Sequence, residues 1–299
     1  MKMKKLTVLS ALFVMTLFSC TKETATNEET PIAEVLEQAQ GIERDCGYVD
    51  SNWPSTAKLS TTLTAAAGTS ADATFLSGQN TAIKTFWRGA TVAAPTFRFV
   101  NNGKDWNSTY NAISYSNGKI YFGEGIFKDA KSKDATNLIN VMILAHEYGH
   151  QLQYAFNLPS KTESTVRSGE LEADGMAGYY LRRGYGKTSF AQISTAYEFA
   201  ASIGDKNTTS SGHHGLPAQR RSAVRLGFLL ADASNPKLNA KDFDYNFFYY
   251  YEGVLAGTYR MAKPANIDEA IHSRIMLHMD ELMRIKNGQM SDQEYFNLN

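Results

Sequence analysis

Apolar positions along the chain fall into runs whose spacing changes several times. Over about 71–88 they recur at helical spacing, with Phe75, Ile83 and Phe86 as expected core positions. Thr96-Phe97-Arg98-Phe99-Val100 alternates as a strand does, and Asn101-Asn102-Gly103 reads as a turn. Segments 112–115 and 119–122 flank Ser116-Asn117-Gly118, a hairpin signature. A long helical stretch follows over about 135–156 and stops at Pro159 and Ser160. A second runs over about 168–183 and ends near Gly184. Later helices are predicted over 218–233, 245–261 and 267–286, and a short one over 31–40. No internal repeat is visible. The pattern predicts an α+β fold, a small N-terminal antiparallel sheet packed on a mostly helical body.

The first residues follow a different rule. Lys2, Lys4 and Lys5 precede an apolar stretch over 6–18, broken only by Thr7, Ser10 and Thr16, which ends at Leu17-Phe18-Ser19-Cys20. This reads as a secretory signal over 1–19, too short for a comfortable membrane span. Cys20 after a small residue resembles a bacterial lipobox, which implies lipidation of Cys20 and a place in the bacterial cell envelope, facing the periplasm or the cell surface. Residues 20–45, polar and rich in Thr and Glu at their start, then form a lipid-anchored tether, and 46–299 form the domain. Removing 1–19 takes three Lys from the 30 basic residues and leaves 27 against 30 acids, a net charge of −3. That excludes a polybasic patch, so membrane attachment falls to the lipid, and no nucleic-acid partner is expected. Only Cys46 remains beside Cys20, so no internal disulfide is expected and Cys46 is a packed small residue.

Candidate chemistry centres on His146-Glu147-Tyr148-Gly149-His150. Residues four apart on a helix share a face, so His146 and His150 can grip one Zn2+ ion. Glu147, rotated by about 100° from His146, sits beside the metal and suits a general base. Chance alone yields such a motif at roughly 0.006 per chain of this composition. Val141, Ile143, Leu144 and Ala145 make the approach apolar, so the helix is expected to be buried, where histidines without partners are costly.

A third ligand is sought downstream, in Glu170-Leu171-Glu172-Ala173-Asp174. Glu170 and Asp174 share a face, so Glu170 can bind the metal while Asp174 accepts a hydrogen bond from the far nitrogen of a ligand histidine. Both can also be solvated acids at a helix start. Ala173, Gly175, Ala177 and Gly178 favour a close helix pair. Glu172 is read as a surface residue, and Glu163 as a loop acid that is a poorer ligand.

His146-Glu-Tyr-Gly-His-Gln-Leu-Gln153 followed by Glu170-Leu-Glu-Ala-Asp-Gly-Met-Ala-Gly178 resembles the bacterial neutral zinc metallopeptidases, and more broadly the gluzincins, whose fold is zincin-like. His214-Gly215, Gln219-Arg220 and Gly227-Phe228 resemble the downstream segment of the same family. The resemblance spans about 111–228. It implies His146, His150 and Glu170 as zinc ligands and Glu147 as the base. The aromatic C-terminal region and the N-terminal third depart from the family.

Several residues carry two readings. His214 can donate to the oxyanion of a tetrahedral intermediate, or be an ordinary loop histidine; His213 is the weaker candidate. Arg220 is expected in a structural ion pair, and His272 and His278 are expected to be structural. Segment 111–122 is either an edge onto which substrate adds as a strand, or a core hairpin. The aromatic run 243–251 is expected to pack in the core. The expected function is a zinc-dependent metallopeptidase of the envelope, a hydrolase of peptide or protein substrates. The alternatives are a non-catalytic lipoprotein stabilised by zinc and a zinc hydrolase of a non-peptide amide.

Overall fold

The computed structural model describes residues 43–45, 53–87, 96–103, 105–258 and 262–299. The leader, Cys20, the helix expected over 31–40 and Cys46 lie outside the described residues.

Five strands form one sheet: β1 Glu43–Asp45, β2 Lys58–Ser60, β3 Thr96–Asn101, β4 Ala112–Tyr115 and β5 Lys119–Gly123, in the order β1-β4-β5-β3-β2. The predicted hairpin is β4–β5, with Ala112 opposite Phe122. Its turn closes through Gly118, whose φ of +83 suits a residue without a Cβ. The sheet differs from the expected antiparallel one at one pair, because β3 runs parallel to β5. After β3 the chain passes β5's place, builds β4 beyond it and turns back, so β3 and β5 point the same way. Strand alternation splits the sheet's side chains between two cores. Phe97, Phe99, Ala112, Ile120 and Phe122 join the main one. Val100, Ile113, Tyr115 and Tyr121 meet Trp53 and Ala57 on the other face.

The helical body begins with α1, Ser70–Phe86, started by a capping box between Thr69 and Asp72. Its buried apolar positions are Ala73, Leu76 and Ile83, while Phe75 and Phe86 are half-buried. α2, Glu124–Lys133, was not legible in the sequence; it leaves β5 without a loop and buries Ile126, Phe127 and Ala130. α3, Leu138–Phe156, is buried at every position through Gln153, as its apolar approach predicted. α4, Arg167–Arg183, lies against it, and α5, Ser194–Ser202, follows.

α6, Pro217–Ala233, packs on α4 through backbone. A Cβ on Gly227 would stand 1.9 Å from the Gly175 carbonyl oxygen, and one on Gly178 would stand 2.3 Å from that of Val224. α7, Ala240–Ala256, starts five residues before the expected 245 because Asn239 caps it, and ends at Gly257. Its Phe243, Phe247 and Tyr251 stack in succession, with ring centroids 5.6 and 5.1 Å apart, as core-packing aromatics do. The stretch 267–286 is two helices, α8 Glu269–Leu277 and α9 Met279–Lys286, separated at His278. α10, Asp292–Phe296, ends the chain.

Candidate metal centre

The buried helix α3 carries His146 and His150 one turn apart, with their Nε2 atoms 3.1 Å from each other. Glu170, in the first turn of α4, faces both: Oε2 lies 3.4 Å from His146 Nε2 and Oε1 lies 3.3 Å from His150 Nε2. The two helices come this close because Gly149 faces Ala173, whose Cα would be 3.1 Å from a Cβ on Gly149. Among the described residues, His146, His150 and Glu170 are the group able to hold a metal ion, with their ligand atoms all within 4.8 Å of one another.

Each imidazole is held from behind. Asp174 Oδ1 lies 2.9 Å from His146 Nδ1. Asp174 is gripped in turn by Arg220 of α6, through Nε at 2.7 Å and Nη2 at 2.9 Å. Arg220 is thus in an ion pair, and its partner is the carboxylate that orients His146. His150 Nδ1 meets Gln153 Oε1 at 2.8 Å, and Gln153 Nε2 donates to Glu172 Oε2 and to the Gly169 carbonyl, both at 2.8 Å. Glu172 is therefore not a surface residue: it is fully buried. Glu163 pairs with Arg167 instead of entering the group.

Glu147, Glu170, Glu172 and Asp174 are all buried, and the buried Arg220 guanidinium meets two of them, Asp174 at 2.7 Å and Glu170 at 3.8 Å. Carboxylates buried this close together are costly in a low-dielectric interior unless cations face them. Burial opposes ionisation of Glu170, yet the facing His150 and His146 hold its carboxyl well below the usual range. Burial likewise opposes a charged His146, but Asp174 and Glu170 outweigh it and raise the ring to about 9. Asp174 is held low, against burial, by Arg220 and His146.

The donor set fits zinc. Two nitrogens and a carboxylate oxygen about 2.0–2.1 Å from a tetrahedral ion stand about 3.3 Å apart. The nitrogen–nitrogen edge of 3.1 Å matches to within a few tenths of an ångström, and each histidine has one Glu170 oxygen at a matching distance, Oε2 at 3.4 Å from His146 and Oε1 at 3.3 Å from His150.

Around the centre, β4 is pinned to α3. Ser114 Oγ donates to the Glu147 carbonyl at 2.9 Å, and Gln151 Nε2 donates to the Tyr115 carbonyl at 2.9 Å. β4 is paired on both sides, by β1 and β5, so 111–122 is an interior hairpin and not an open substrate edge. The loop before α6 covers the first turn of α4. Val166 N donates to the Ser211 carbonyl at 3.0 Å, and Gly215 lies against Leu171 and Arg167. In that loop His214 is half-exposed, with its backbone N–H 2.8 Å from Asp205 Oδ2. His213 is the buried ring, with Nδ1 2.7 Å from Asp205 Oδ1. Asp205 thus meets both neighbours, His213 through its ring and His214 through its backbone. His272 meets the Tyr250 hydroxyl, and His278 meets Glu281. A cavity of about 450 Å³ opens beside the same turn, lined by Arg167, Ser168 and Leu171 of α4 and Phe248, Tyr251 and Leu255 of α7.

No family model, curated protein or solved structure matches the chain.

Proposed function

We propose that the protein is a zinc-dependent metallopeptidase. The observation that carries this reading is the buried set His146, His150 and Glu170, with ligand atoms within 4.8 Å of one another and Glu147 next to His146 on the same helix. Bound zinc supplies Lewis acidity, which polarises a carbonyl and brings the pKa of water near neutrality. His146 and His150 would hold the ion through Nε2, since their Nδ1 atoms are committed to Asp174 and Gln153. Glu147 accepts a proton from the attacking water on its carboxylate and returns it to the leaving amine. Arg220 keeps Asp174 ionised, and Asp174 keeps the His146 ring in place.

The same burial also suits a non-catalytic zinc site. Structural zinc sites are closed by four protein ligands, whereas three ligands mark a site left open for chemistry. The group here has three among the described residues, which favours catalysis. A non-peptide amide would be attacked by the same groups. Residues 1–20 support export and lipidation at Cys20, and so a place in the bacterial cell envelope. Among the described residues no helix is long and apolar enough to cross a membrane.

The test is zinc-loaded protein against a peptide library with and without chelator, beside Glu147→Gln. Chelator-sensitive cleavage is expected from the wild type, and retained zinc without cleavage from the variant. Full cleavage by Glu147→Gln would sink the mechanism, and no cleavage by the zinc-loaded wild type would sink the peptidase reading.

A further inference from the structure

The two ligand histidines are supported by different chemistry, and the difference assigns work to a residue that the metal set does not include. His146 meets a carboxylate directly, at 2.9 Å. His150 meets a neutral amide, Gln153, whose own partner is the buried carboxylate of Glu172.

The hydrogen bonds determine how that amide points. Gln153 has one end facing two acceptors, the Gly169 carbonyl and Glu172 Oε2, each at 2.8 Å. The Gly169 carbonyl can only accept, so this end is the NH2 and the other end is the carbonyl oxygen. That oxygen lies 2.8 Å from His150 Nδ1 and accepts a hydrogen bond, so Nδ1 carries a proton. The neutral ring is then the Nδ1–H tautomer, with the lone pair on Nε2 facing His146 and Glu170. A carboxylate polarising the amide strengthens each bond of the chain. Without Glu172 the amide keeps one acceptor, Gly169, and loses its charged one.

We infer that Glu172 is a positioning residue for the metal centre: acting through Gln153, it fixes the tautomer and orientation of His150. The inference rests on the metal-centre reading and not on peptide hydrolysis. It also explains why a carboxylate is buried two residues from ligand Glu170 without joining the ligand set. Outer partners of this kind change metal affinity by about 10- to 100-fold when they are removed.

The experiment measures the zinc dissociation constant, by competition with a chromophoric chelator, for the full chain, Glu172→Gln, Gln153→Met and the double variant. Long-range 1H–15N spectra of the imidazoles and thermal unfolding are recorded on metal-free protein. Each single variant is expected to lose about 10- to 100-fold in zinc affinity. The double variant is expected to lose no more than Gln153→Met alone, because Glu172 acts through Gln153. The His150 spectrum should move from a single Nδ1–H form to a mixture of tautomers. A residue that merely supports the fold would lower the metal-free melting temperature and leave the zinc constant and the tautomer unchanged. That result would overturn the relay, and so would losses that add in the double variant. If Glu172→Gln does not fold, Gln153→Met decides: wild-type zinc affinity with an unchanged His150 tautomer overturns the relay. Wild-type protein that binds no zinc overturns the metal centre and the relay with it, whereas zinc binding without peptide cleavage leaves the relay standing.

Discussion

Gly227→Ala tests whether backbone contact between α4 and α6 sets the metal geometry. The added Cβ would stand 1.9 Å from the Gly175 carbonyl oxygen, whereas ordinary contact begins at 3.4 Å, an overlap of about 1.5 Å. The obstacle is backbone inside a helix, so no rotamer change relieves it, and the helices must part by about that amount. Alanine gains about 1 kcal/mol in helix propensity over glycine. Overpacking of a dense core costs about 1–3 kcal/mol, occasionally more, and a backbone clash lies at the upper end. The net expectation is a loss of about 2 kcal/mol, or about 4–8 °C in Tm for a domain of this size. The effect on the centre is larger in proportion. α4 carries Glu170 and Asp174, α6 carries Arg220, and metal–ligand distances tolerate only about 0.2 Å. Zinc affinity should therefore fall by more than tenfold. Thermal unfolding with and without zinc, and the zinc competition titration, measure both effects. Gly78→Ala on α1 is the control: a Cβ there meets nothing within 4 Å, so it should stabilise by about 1 kcal/mol. A Gly227→Ala protein as stable as Gly78→Ala, with wild-type zinc affinity, would refute the reasoning.

Other perturbations have equally definite outcomes. Arg220→Met strands the buried Asp174 carboxylate, should cost about 3–5 kcal/mol in urea unfolding, and should weaken zinc binding; unchanged stability would mean that Asp174 finds another cation. Chelation should lower the melting temperature, because zinc at about 1,000 times its Kd contributes about 4 kcal/mol, and re-added zinc should restore it. Asp72 should make stability pH-dependent. Burial raises its pKa, but donors from Asn137, Lys131 and Thr69 outweigh this and hold it well below the usual value. A depressed folded-state pKa adds stability above the unfolded value of about 3.9, which is lost as pH falls through the folded-state pKa. Asp72→Asn should therefore destabilise at pH 7 and converge with wild type in strong acid; an equal difference at both pH values would contradict this.

What was legible in the sequence was local. His146 and His150 are joined by one helical turn, and Glu170 and Asp174 by another, so periodicity alone puts each pair on one face. The hairpin declared itself through Asn117-Gly118. What was not legible depends on partners far along the chain. Glu172 looks like a helix-surface acid until Gln153, 19 residues earlier, is seen to donate to it. His213 and His214 are neighbours in a Ser- and Gly-rich loop, and only the placement of Asp205 separates them. The parallel β3–β5 pair has no local signal, because β4 intervenes in sequence and not in space. α2 was hidden by Glu124-Gly125 at its start and by its alternating charges.

The burial of α3 along nearly all its length bears on the protein's opening motions. A helix wrapped on every side exposes its amides to hydrogen exchange only in the largest unfolding events, while loops and termini open far more often. The two imidazoles therefore ride on a segment whose amides are expected to exchange only when the core itself opens. Glu170 sits one turn into α4 under a loop held by Ser211 and Gly215. Opening of that loop is the motion expected to reach the centre, through Glu170.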